Sequence, residues 1–464
     1  MTPLLLSRIA QLTGGRLHGG DVEIEAIATD TRALAAGDTV ATLFVALKGE
    51  NFDGHDHVEA AALLGVRAVL SSRLLDAAVP QVIVGNTDHA LAALAAGLQR
   101  ERSTRVVAIT GSNGKTSVKA LLLSILERAA RLENRMAYAN PGNRNNEIGL
   151  PLAVIDAPDD AEYAIYEMGA GKPGDIAYLT AVVKPDVALV NNIAPAHLER
   201  MGSLLGVADT KAAIYDALPA NGVAVINADD AFAPYFAERS HGRRIIRFGL
   251  DASADVGARG IDSEADGSRF TLTTPQGDVA IALPLPGRHN ICNALAAASL
   301  ALGLGVSLDL IVLGLNAARP VAGRLVTHRL ANGARLIDDS YNANPGSLNA
   351  AIDLLGGGAG EAWLVLGDMR ELGVDGQALH AEAGRRAKAA GIARLYTLGA
   401  LSAAAAEAFG AGARTFDSHD AMAAALRADT AADVRVLVKG SRGSAMDRIV
   451  AALLADGEGA PHAA

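Results

Sequence analysis

The chain alternates between short apolar runs and longer stretches in which apolar residues recur at helical spacing. Apolar runs at residues 42–47 and 81–84 have the length of strands, and residues 58–64 between them have helical periodicity. A helix rich in alanine and leucine is predicted at about residues 89–100. The pattern therefore predicts a small N-terminal α/β domain over residues 1–86.

The next part of the chain continues the alternation of strands and helices, which is typical of a mostly parallel sheet. Its predicted strands lie at residues 106–109, 164–166, 187–190 and 223–226. Residues 251–278 are polar and lack helical periodicity, and a hairpin is predicted around Pro275-Gln276-Gly277. We predict that residues 87–318 form a central domain.

After Pro320 the pattern starts again, with Ala-rich helices between further apolar strands. These strands are predicted at residues 336–337, 364–366, 395–397 and 436–438. The glycine run at 356–360 precedes a strand instead of following one, so we interpret it as a linker. Residues 319–464 are predicted to form a Rossmann-like, doubly wound domain, in which residues 457–464 have nothing to pack against.

Composition narrows the classes of function. Half of the 464 residues are apolar and a fifth are charged, which excludes a disordered chain. The net charge of -10 argues against nucleic acid as a partner. Cys292 is the only cysteine, so an internal disulfide is impossible and a reducing compartment is indicated. Since no apolar run reaches the roughly 18–20 residues of a membrane span, we expect a cytoplasmic protein.

A glycine-containing loop, Gly111-Ser112-Asn113-Gly114-Lys115-Thr116, follows the strand predicted at 106–109 and precedes a predicted helix. Its glycines let backbone N–H groups face phosphate oxygens, and the helix directs its positive dipole end to the same place. Lys115 is placed to neutralise phosphate charge, and Thr116 to contact magnesium. The alternative is a tight turn with an exposed lysine. The central domain is thus predicted to be a P-loop mononucleotide-binding domain, with a shortened loop that has Ile109 where a glycine is usual.

Two polar residues follow apolar strands of the central domain. Glu167 comes after strand 164–166, and His197 comes after strand 187–190. Because the carboxyl ends of parallel strands line the ligand crevice, both side chains are candidate magnesium ligands beside ATP. The alternative for each is a solvated loop residue or a helix cap. Lys211 alone would be interpreted as an exposed helix lysine.

Two other classes of enzyme are disfavoured by the motifs that the sequence lacks. A GTPase switch is disfavoured because no Asn-Lys-x-Asp motif occurs in the chain. A serine hydrolase is disfavoured because no Gly-x-Ser-x-Gly elbow occurs.

Six ordered motifs resemble those of the Mur ligases, the ATP-dependent amide-forming enzymes that build the peptidoglycan precursor peptide. They are the phosphate loop, the run from Asn140 to Gly149, Glu167-Met168-Gly169, Ala196-His197-Leu198-Glu199, Lys211, and Gly287-Arg288-His289-Asn290-Ile291-Cys292-Asn293-Ala294. The resemblance spans nearly the whole chain. It implies that ATP converts a carboxylate into an acyl phosphate, which an amine then attacks.

Three motifs of the last domain are similar to those of the branch of the family that adds D-alanyl-D-alanine. They are Asp338-Asp339-Ser340-Tyr341-Asn342-Ala343-Asn344-Pro345, Leu366-Gly367-Asp368-Met369-Arg370-Glu371-Leu372-Gly373 and Val438-Lys439-Gly440-Ser441-Arg442-Gly443. The Asp-Asn-Pro-Arg motif of the amino-acid-adding branch is absent. That branch, a folylpolyglutamate-synthetase-like ligase and a catalytically silent nucleotide-binding relative are the alternatives.

The resemblance implies the partners of the chain. They are ATP, two magnesium ions, a UDP-linked muramoyl tripeptide and D-alanyl-D-alanine, and we expect the chain to be monomeric. The N-terminal domain is similar to the segment of the family that handles the UDP-sugar.

The resemblance also implies roles for individual residues. Lys115 and Thr116 hold the phosphates and a first magnesium, Glu167 shares that metal, and His197 serves a second. Lys211 matches a lysine that is carbamylated in the family, and this modification makes it an anionic oxygen ligand. Further nucleotide-binding residues are Gly111, Ser112, Asn113, Gly114, Asn290, Asn293, Arg324 and Asp339. Substrate-binding residues are Asp30, Arg32, Lys48, Asn143, Asn146, Asn342, Asn344, Lys439 and Ser441. Asn290 is alternatively a helix cap, and most of the last four are alternatively turn formers.

Overall fold

The structure is a computed structural model that describes residues 1–35, 39–195, 198–264 and 267–455. Within these ranges the strands form one five-stranded sheet, two six-stranded sheets and two smaller sheets. The three large sheets follow one another along the chain, and each is the centre of one α/β domain. The predicted three-domain α/β fold is confirmed, while the boundaries at residues 87 and 319 stay predictions. In the described part of the chain, we find no helix with the length and apolar character needed to cross a membrane.

The first domain is a small sheet covered by helices. Its strands are β1 (Leu4–Leu5), β2 (Arg16–His18), β3 (Glu23–Ile24), β4 (Ala26–Ala28), β5 (Thr42–Val45), β6 (Ala68–Ser71) and β7 (Gln81–Ile83). Its helices are α1 (Leu6–Thr13) and α2 (Val58–Leu63). The sheet has the order β2-β7-β6-β5-β4, and β1 pairs with β3. Helix α3 (Thr87–Glu101) then connects to the second domain, and it begins at Thr87 because the Asn86 side chain accepts a hydrogen bond from the His89 N–H.

The central domain has a fully parallel sheet in the order β13-β12-β11-β8-β10-β9 and an antiparallel sheet of β14, β15 and β16. Its strands are β8 (Arg105–Thr110), β9 (Ala137–Ala139), β10 (Tyr163–Glu167), β11 (Val187–Val190), β12 (Val223–Asn227), β13 (Arg244–Phe248), β14 (Gly257–Glu264), β15 (Gly267–Thr274) and β16 (Gly277–Leu283). Its helices are α4 (Lys115–Leu132), α5 (Gly149–Asp156), α6 (Asp175–Val183), α7 (Leu198–Met201), α8 (Leu204–Asp216), α9 (Ala233–Arg239), α10 (Arg288–Gly303) and α11 (Leu308–Asn316). The predicted hairpin is confirmed as β15 and β16.

The central sheet is buried on both faces, which explains why its strands are almost continuously apolar. Along β8, Val106 and Ala108 point into a core shared with the first domain, and Val107 and Ile109 point into a second core beneath α4, α10 and α11. Because the two faces of β8 are equally apolar, its sequence contains no strand-like alternation, and its length identifies it as a strand.

The third domain has a sheet in the order β17-β18-β22-β19-β20-β21, in which only β17 is antiparallel to its neighbour. Its strands are β17 (Val326–Arg329), β18 (Arg335–Asp339), β19 (Glu361–Gly367), β20 (Arg394–Leu398), β21 (Ala413–Phe416) and β22 (Val434–Lys439). Its helices are α12 (Pro345–Gly356), α13 (Gly376–Ala389), α14 (Ala403–Phe409), α15 (His419–Asp429) and α16 (Asp447–Ala455). The glycine run at 356–360 joins α12 to β19, as predicted for a linker. Residues 457–464 lie outside the described ranges.

The strands that the hydrophobic pattern did not predict include β14, β17 and β21. Each has mainly polar or small residues and is at most partly apolar on one face. They lie at sheet edges, where one side of the strand has no neighbour. Edge strands need fewer apolar residues because they bury less surface, so the hydrophobic pattern detects them poorly.

Candidate active site

The phosphate loop joins β8 to α4 at the carboxyl edge of the central sheet, and the predicted strand, loop and helix are confirmed. Gly111 and Gly114 have φ angles of +146° and +79°, which turn the backbone between strand and helix. The Lys115 Nζ donates a hydrogen bond to the Gly111 carbonyl at 2.8 Å, so the ammonium group lies back over the loop. An anion placed there would meet backbone N–H groups, a helix N-terminus and one lysine.

Two asparagines that sequence reasoning missed hold the loop in this shape. They follow β11 directly: Asn192 accepts hydrogen bonds from the backbone N–H groups of Ser112 and Asn113, at 2.9 and 2.8 Å. The Asn191 Nδ2 donates to the Asn113 carbonyl at 2.9 Å. The signal in the sequence was a pair of polar residues at the end of an apolar strand. They reach the loop because β11 is the neighbour of β8 in the sheet.

Gly114 lies so close to Asn191 and Asn293 that any side chain at this position would displace their amide groups. A Cβ atom at this position would lie 2.5 Å from both Asn191 Nδ2 and Asn293 Oδ1. We expect Gly114→Ala to lower the rate of phosphate release from ATP by about 10²-fold, because a misplacement of the order of 1 Å suffices for such a loss of rate. Initial-rate measurements would test it. Gly305→Ala is the matched control, since Gly305 has a φ of +78° but open space around it. Equal losses in the two variants would contradict the steric argument.

Glu167 is the last residue of β10 and is buried beside the phosphate loop, so it is neither a solvated loop residue nor a cap. Its Oε1 accepts a hydrogen bond from Asn145 Nδ2 at 3.0 Å, and its Oε2 lies 3.2 Å from the Nζ of Lys119. Burial raises the pKa of Glu167, but the ammonium groups of Lys119 and Lys115 outweigh it and hold the pKa below its usual value. The carboxylate is therefore ionised in the cleft.

Lys211 is enclosed, which corrects the interpretation of this residue as an exposed helix lysine. It lies on α8 with a relative exposure of 2%. Burial, together with the nearby ammonium of Lys115, lowers the pKa of Lys211 to about 7. Within the described residues its Nζ has neither a hydrogen bond nor an ion pair, so the amine faces open space in the cleft.

Lys211 and Glu167 line a cavity of about 390 Å³, which we call the lysine cavity. The cations on its wall outnumber the acids, so it favours anionic ligands. Its cations are Lys115, Lys172, Arg200, Lys211, Arg324 and Arg442, and its acids are Glu147, Glu167 and Asp175. The predicted substrate residues Asn143 and Asn146 also line it.

A second cavity of about 300 Å³, the asparagine cavity, lies on the other side of the loop. The predicted residues Asn290 and Asn293 line it together with Asp339 and Lys439. Asn290 is not the helix cap, because α10 begins after Gly287 and the Asn290 Nδ2 donates to the Pro286 carbonyl at 2.8 Å. Amide groups have both donors and acceptors, which suits the edge of a base.

The third domain contacts the phosphate loop directly. The Asn344 Nδ2 donates to the Asn113 Oδ1 at 2.6 Å, while the Asn344 Oδ1 caps α12. Asn344 is thus a cap and an interdomain contact at once. Arg324 lies over the ring of Tyr341, with its Cζ 4.2 Å from the ring centroid, and faces both the lysine and asparagine cavities.

Asp339 and Lys439 form a buried ion pair at the carboxyl ends of β18 and β22. Lys439 also donates to the Asn342 carbonyl at 3.0 Å, and the Ser441 Oγ donates to the Ala343 carbonyl at 3.2 Å. These bonds fix the turn at 342–344. Contacts of these side chains with a substrate stay a prediction.

A third cavity of about 400 Å³, the interdomain cavity, lies between that turn and the phosphate loop. Ser112 and Lys115 line it from the loop, and Arg370, Ser441 and Arg442 line it from the third domain. Ser112 and Lys115 also line the lysine cavity. The three cavities therefore meet at the phosphate loop.

The remaining predicted residues lie elsewhere. Asp30 caps a short 3₁₀ helix in the first domain and pairs with the exposed side chain of Arg32. The backbone of Lys48 pairs with that of Asp53 in an isolated antiparallel β-bridge. A role for Asp30, Arg32 and Lys48 in substrate binding stays a prediction. His197 lies outside the described residues.

The first domain contains a Ser–His–Asp arrangement without the chemistry of a hydrolase. The His55 Nδ1 lies 2.5 Å from Asp53, and its Nε2 lies 3.0 Å from the Ser72 hydroxyl. However, Nε2 already accepts a hydrogen bond from the Ser72 backbone N–H at 2.9 Å. Because that lone pair is occupied, His55 cannot act as the base for Ser72, and the arrangement links two loops.

The site combines a phosphate loop at the edge of a parallel sheet, three polar cavities that meet there and a second α/β domain packed against it. This combination defines an enzyme that transfers phosphoryl groups between enclosed substrates. Residues 109–301 match the model of the Mur ligase middle domain, and residues 323–442 match that of the Mur ligase, glutamate ligase domain. A UDP-N-acetylmuramoyl-tripeptide–D-alanyl-D-alanine ligase of Escherichia coli (strain K12) is 43% identical over 98% of this chain and 100% of its own length. The chain belongs to the Mur ligase family.

Solved structures agree with this membership. A crystal structure of MurF from Acinetobacter baumannii matches with a TM-score of 0.90 and 33% identity, covering 98% of this chain and 99% of that one. MurF of Thermotoga maritima in complex with ADP matches with a TM-score of 0.81 and 26% identity, covering 93% and 97%. The prediction of a ligase of the Mur family is confirmed.

Proposed function

We propose that this chain uses ATP to join D-alanyl-D-alanine to a UDP-N-acetylmuramoyl-tripeptide in peptidoglycan precursor synthesis, with release of ADP and phosphate. The observation that carries the proposal is the meeting of three cavities at one phosphate loop. A ligase of this kind must bring a nucleotide, a carboxylate and an amine to the same point. The full-length relatives named for this reaction support the choice of substrates.

Each cavity suits one of the three substrates. The asparagine cavity fits the adenosine part of ATP, because its amide groups pair with a base edge. The lysine cavity, with its excess of cations, fits the terminal phosphate and the peptide carboxylate. The interdomain cavity fits the dipeptide, since it reaches Lys115 from the side of the third domain. Asp30, Arg32 and Lys48 are proposed to contact the UDP-sugar.

The reaction then has two steps. A carboxylate oxygen of the tripeptide attacks the γ-phosphorus, the bond to ADP breaks, and an acyl phosphate forms. The amine nitrogen of D-alanyl-D-alanine attacks the acyl carbon, loses a proton, and phosphate leaves with the carboxylate oxygen. Lys115 lies where both steps build negative charge, between the lysine and interdomain cavities, and its ammonium group stabilises that charge.

The residues around Glu167 fit a magnesium ion. Glu167 Oε2 is buried, and no hydrogen bond to it is found among the described residues although Lys119 is close by. Thr116 is the second residue of α4, beside the same loop, and offers a hydroxyl oxygen. The described residues contain no cluster of three His, Cys, Asp or Glu side chains. Glu167 and Thr116 would thus hold the ion together with phosphate oxygens and water, and the ion would neutralise phosphate charge. The second magnesium, at His197, stays a prediction.

Lys211 is proposed to be carbamylated. An amine reacts with CO₂ only in its neutral form, and burial lowers the pKa of Lys211 to about 7, which makes the neutral form abundant. The reaction forms an N–C bond and releases one proton, so the product is an anionic carbamate. Its oxygens would lie in the lysine cavity, where the five other cations outnumber the three acids.

Phosphate release from ATP, measured with different pairs of substrates, tests the proposed function. We expect release to require both the UDP-muramoyl tripeptide and D-alanyl-D-alanine, because the acyl phosphate is consumed only when the amine is bound. Single amino acids with the matching shorter acceptor, and glutamate with a folate, should give background rates. Release with one of these pairs instead, or background release with the proposed pair, would overturn the assignment.

A further inference from the structure

Lys119 is a buried lysine that none of the proposed steps uses. It lies on α4 one helical turn after Lys115, with a relative exposure of 7%. Its Nζ donates to the carbonyls of Asn140 and Gly142, at 2.9 and 3.2 Å, and lies 3.2 Å from Glu167 Oε2. The two carbonyls take two of the three donors of the ammonium group, and the contact with the carboxylate is an ion pair.

The two carbonyls belong to a segment that lines the lysine cavity. We call residues 140–147 the asparagine loop, since four of them are asparagine. Asn143, Asn145, Asn146 and Glu147 of this loop face the cavity. Lys119 thus binds the backbone of the loop, but it does not itself line the cavity.

The same loop also holds Glu167 through its backbone and its side chain. The Asn140 Oδ1 accepts a hydrogen bond from the Glu167 N–H at 2.9 Å, and the Asn140 Nδ2 donates to the Glu167 carbonyl at 3.1 Å. Asn145 adds a hydrogen bond to the carboxylate at 3.0 Å. Lys119, Glu167 and the asparagine loop thus form one connected unit. Within it, Lys119 contacts both the loop backbone and Glu167 Oε2, the carboxylate oxygen that Asn145 does not bind.

Stability alone is a weak reason for a buried ammonium at this position. Removing a charge from water is unfavourable, and apolar residues that replace a buried ion pair are often neutral or stabilising. Lys119 lies on the same face of α4 as Leu122 and Leu126, where a leucine would pack into the core. A leucine, however, would not hold the Glu167 carboxylate and the asparagine loop in fixed positions.

We propose that Lys119 is a positioning residue that fixes the Glu167 carboxylate and the asparagine loop in one arrangement. This arrangement holds the phosphate and the acyl substrate in the correct position relative to each other. The inference rests on the proposed function for the identity of the acyl substrate. Lys119 itself does not touch the reacting atoms. It acts through Glu167 on one side and through the loop on the other.

The experiment uses the full chain with Lys119→Met, which keeps the length of the side chain and removes its charge and donors. The first readout is binding of a non-hydrolysable ATP analogue with and without Mg²⁺, measured by calorimetry. We expect the gain in affinity that Mg²⁺ provides to fall about 10- to 100-fold, as is typical when a residue that orients a metal ligand is lost. An unchanged gain in a folded variant would overturn the proposal.

The second readout separates the substrates. The KM for the UDP-muramoyl tripeptide should rise about tenfold or more, while the KM for D-alanyl-D-alanine should stay within about twofold because Lys119 does not line the interdomain cavity. Equal changes in both KM values would indicate a general structural defect and contradict the proposal. Failure of the wild-type chain to use D-alanyl-D-alanine would overturn the proposed function but leave the Mg²⁺ readout intact.

Two further variants keep the test decisive. Lys388→Met is the matched control, since the Lys388 Nζ also donates to a backbone carbonyl, that of Ala411 at 2.9 Å, but on the exposed surface of the third domain. It should leave both readouts unchanged. If Lys119→Met does not fold, Asn145→Ser removes the other bond to the Glu167 carboxylate without emptying the buried site. It should shift the Mg²⁺ readout in the same direction, and no shift would refute the positioning of Glu167.

Discussion

Replacing Lys115 with methionine is expected to lower kcat by about 10³-fold, the range measured when one charge-stabilising group is removed from a phosphoryl-transfer or acyl-transfer site. Lys115 lines both the lysine and the interdomain cavities, and its Nζ lies over the phosphate loop through the bond to Gly111. It is therefore close to the phosphate in both steps. Rapid-quench measurement of ADP formation would follow the first step alone.

The same substitution should not reduce stability. Burial lowers the pKa of Lys115 below its unfolded value, an effect that the Glu167 carboxylate only partly offsets and that the guanidinium of Arg324 reinforces. A lysine whose folded pKa is depressed holds its proton less favourably in the folded chain than in the unfolded one. Its removal at neutral pH is then neutral or stabilising. A thermal unfolding midpoint equal to or above that of the wild type is expected, and Lys388→Met serves as the control with unchanged kcat. A kcat of Lys115→Met within tenfold of the wild type would contradict the role in charge stabilisation.

Replacing Lys211 with alanine is expected to lower kcat by about 10²-fold, and short carboxylates such as acetate or propionate should restore part of the activity. If Lys211 carries a carbamate, the alanine variant leaves a space in the lysine cavity in which a free carboxylate can supply the missing oxygens. A loss of kcat of this size is typical when one charge-stabilising group is removed from an active site. Initial rates of phosphate release over a series of carboxylate concentrations would measure both effects.

The specificity of the rescue separates a carbamate from a plain lysine. Acetate should not restore Lys115→Met, because that variant lacks a cation instead of an anion. If the amine of Lys211 were used unmodified, methylamine would rescue Lys211→Ala and acetate would not. Full activity of Lys211→Ala without additives would exclude both forms. In the wild type, removal of dissolved CO₂ and bicarbonate should lower activity slowly, and added bicarbonate should restore it.

Much of the fold was predictable because its signals are local. The parallel strands of the central domain are short apolar runs buried on both faces, and the phosphate loop is a contiguous motif between a strand and a helix. Glu167 was predictable as a site residue because it ends a strand next to β8, and strand ends in a parallel sheet share one edge. The motifs shared with the Mur ligases then predicted the family, which the match to both Mur ligase domains and the 43% identity to the Escherichia coli ligase confirm.

The environments of the lysines were not predictable in this way. The sequence places Lys115 in the phosphate loop and the family resemblance singles out Lys211, but neither shows what surrounds the side chains. Lys115 lies over the loop, Lys119 is enclosed by two carbonyls and a carboxylate, and Lys211 has no partner among the described residues. Lys119 gave a weak signal through its position on the apolar face of α4. Lys211 was identified by the family resemblance, but nothing in its local sequence predicted its burial, because that burial depends on elements that pack around α8.

The sequence by itself determined the three α/β domains, the phosphate loop and the family of this protein, because strand length, helical spacing and contiguous motifs are properties of neighbouring residues. Only the tertiary structure decided how the cleft is assembled. The bond between Asn344 and Asn113 joins residues 231 positions apart, and Arg324 reaches two cavities from the third domain. Such contacts depend on how whole domains pack, and no periodicity along the chain encodes which side chains then meet.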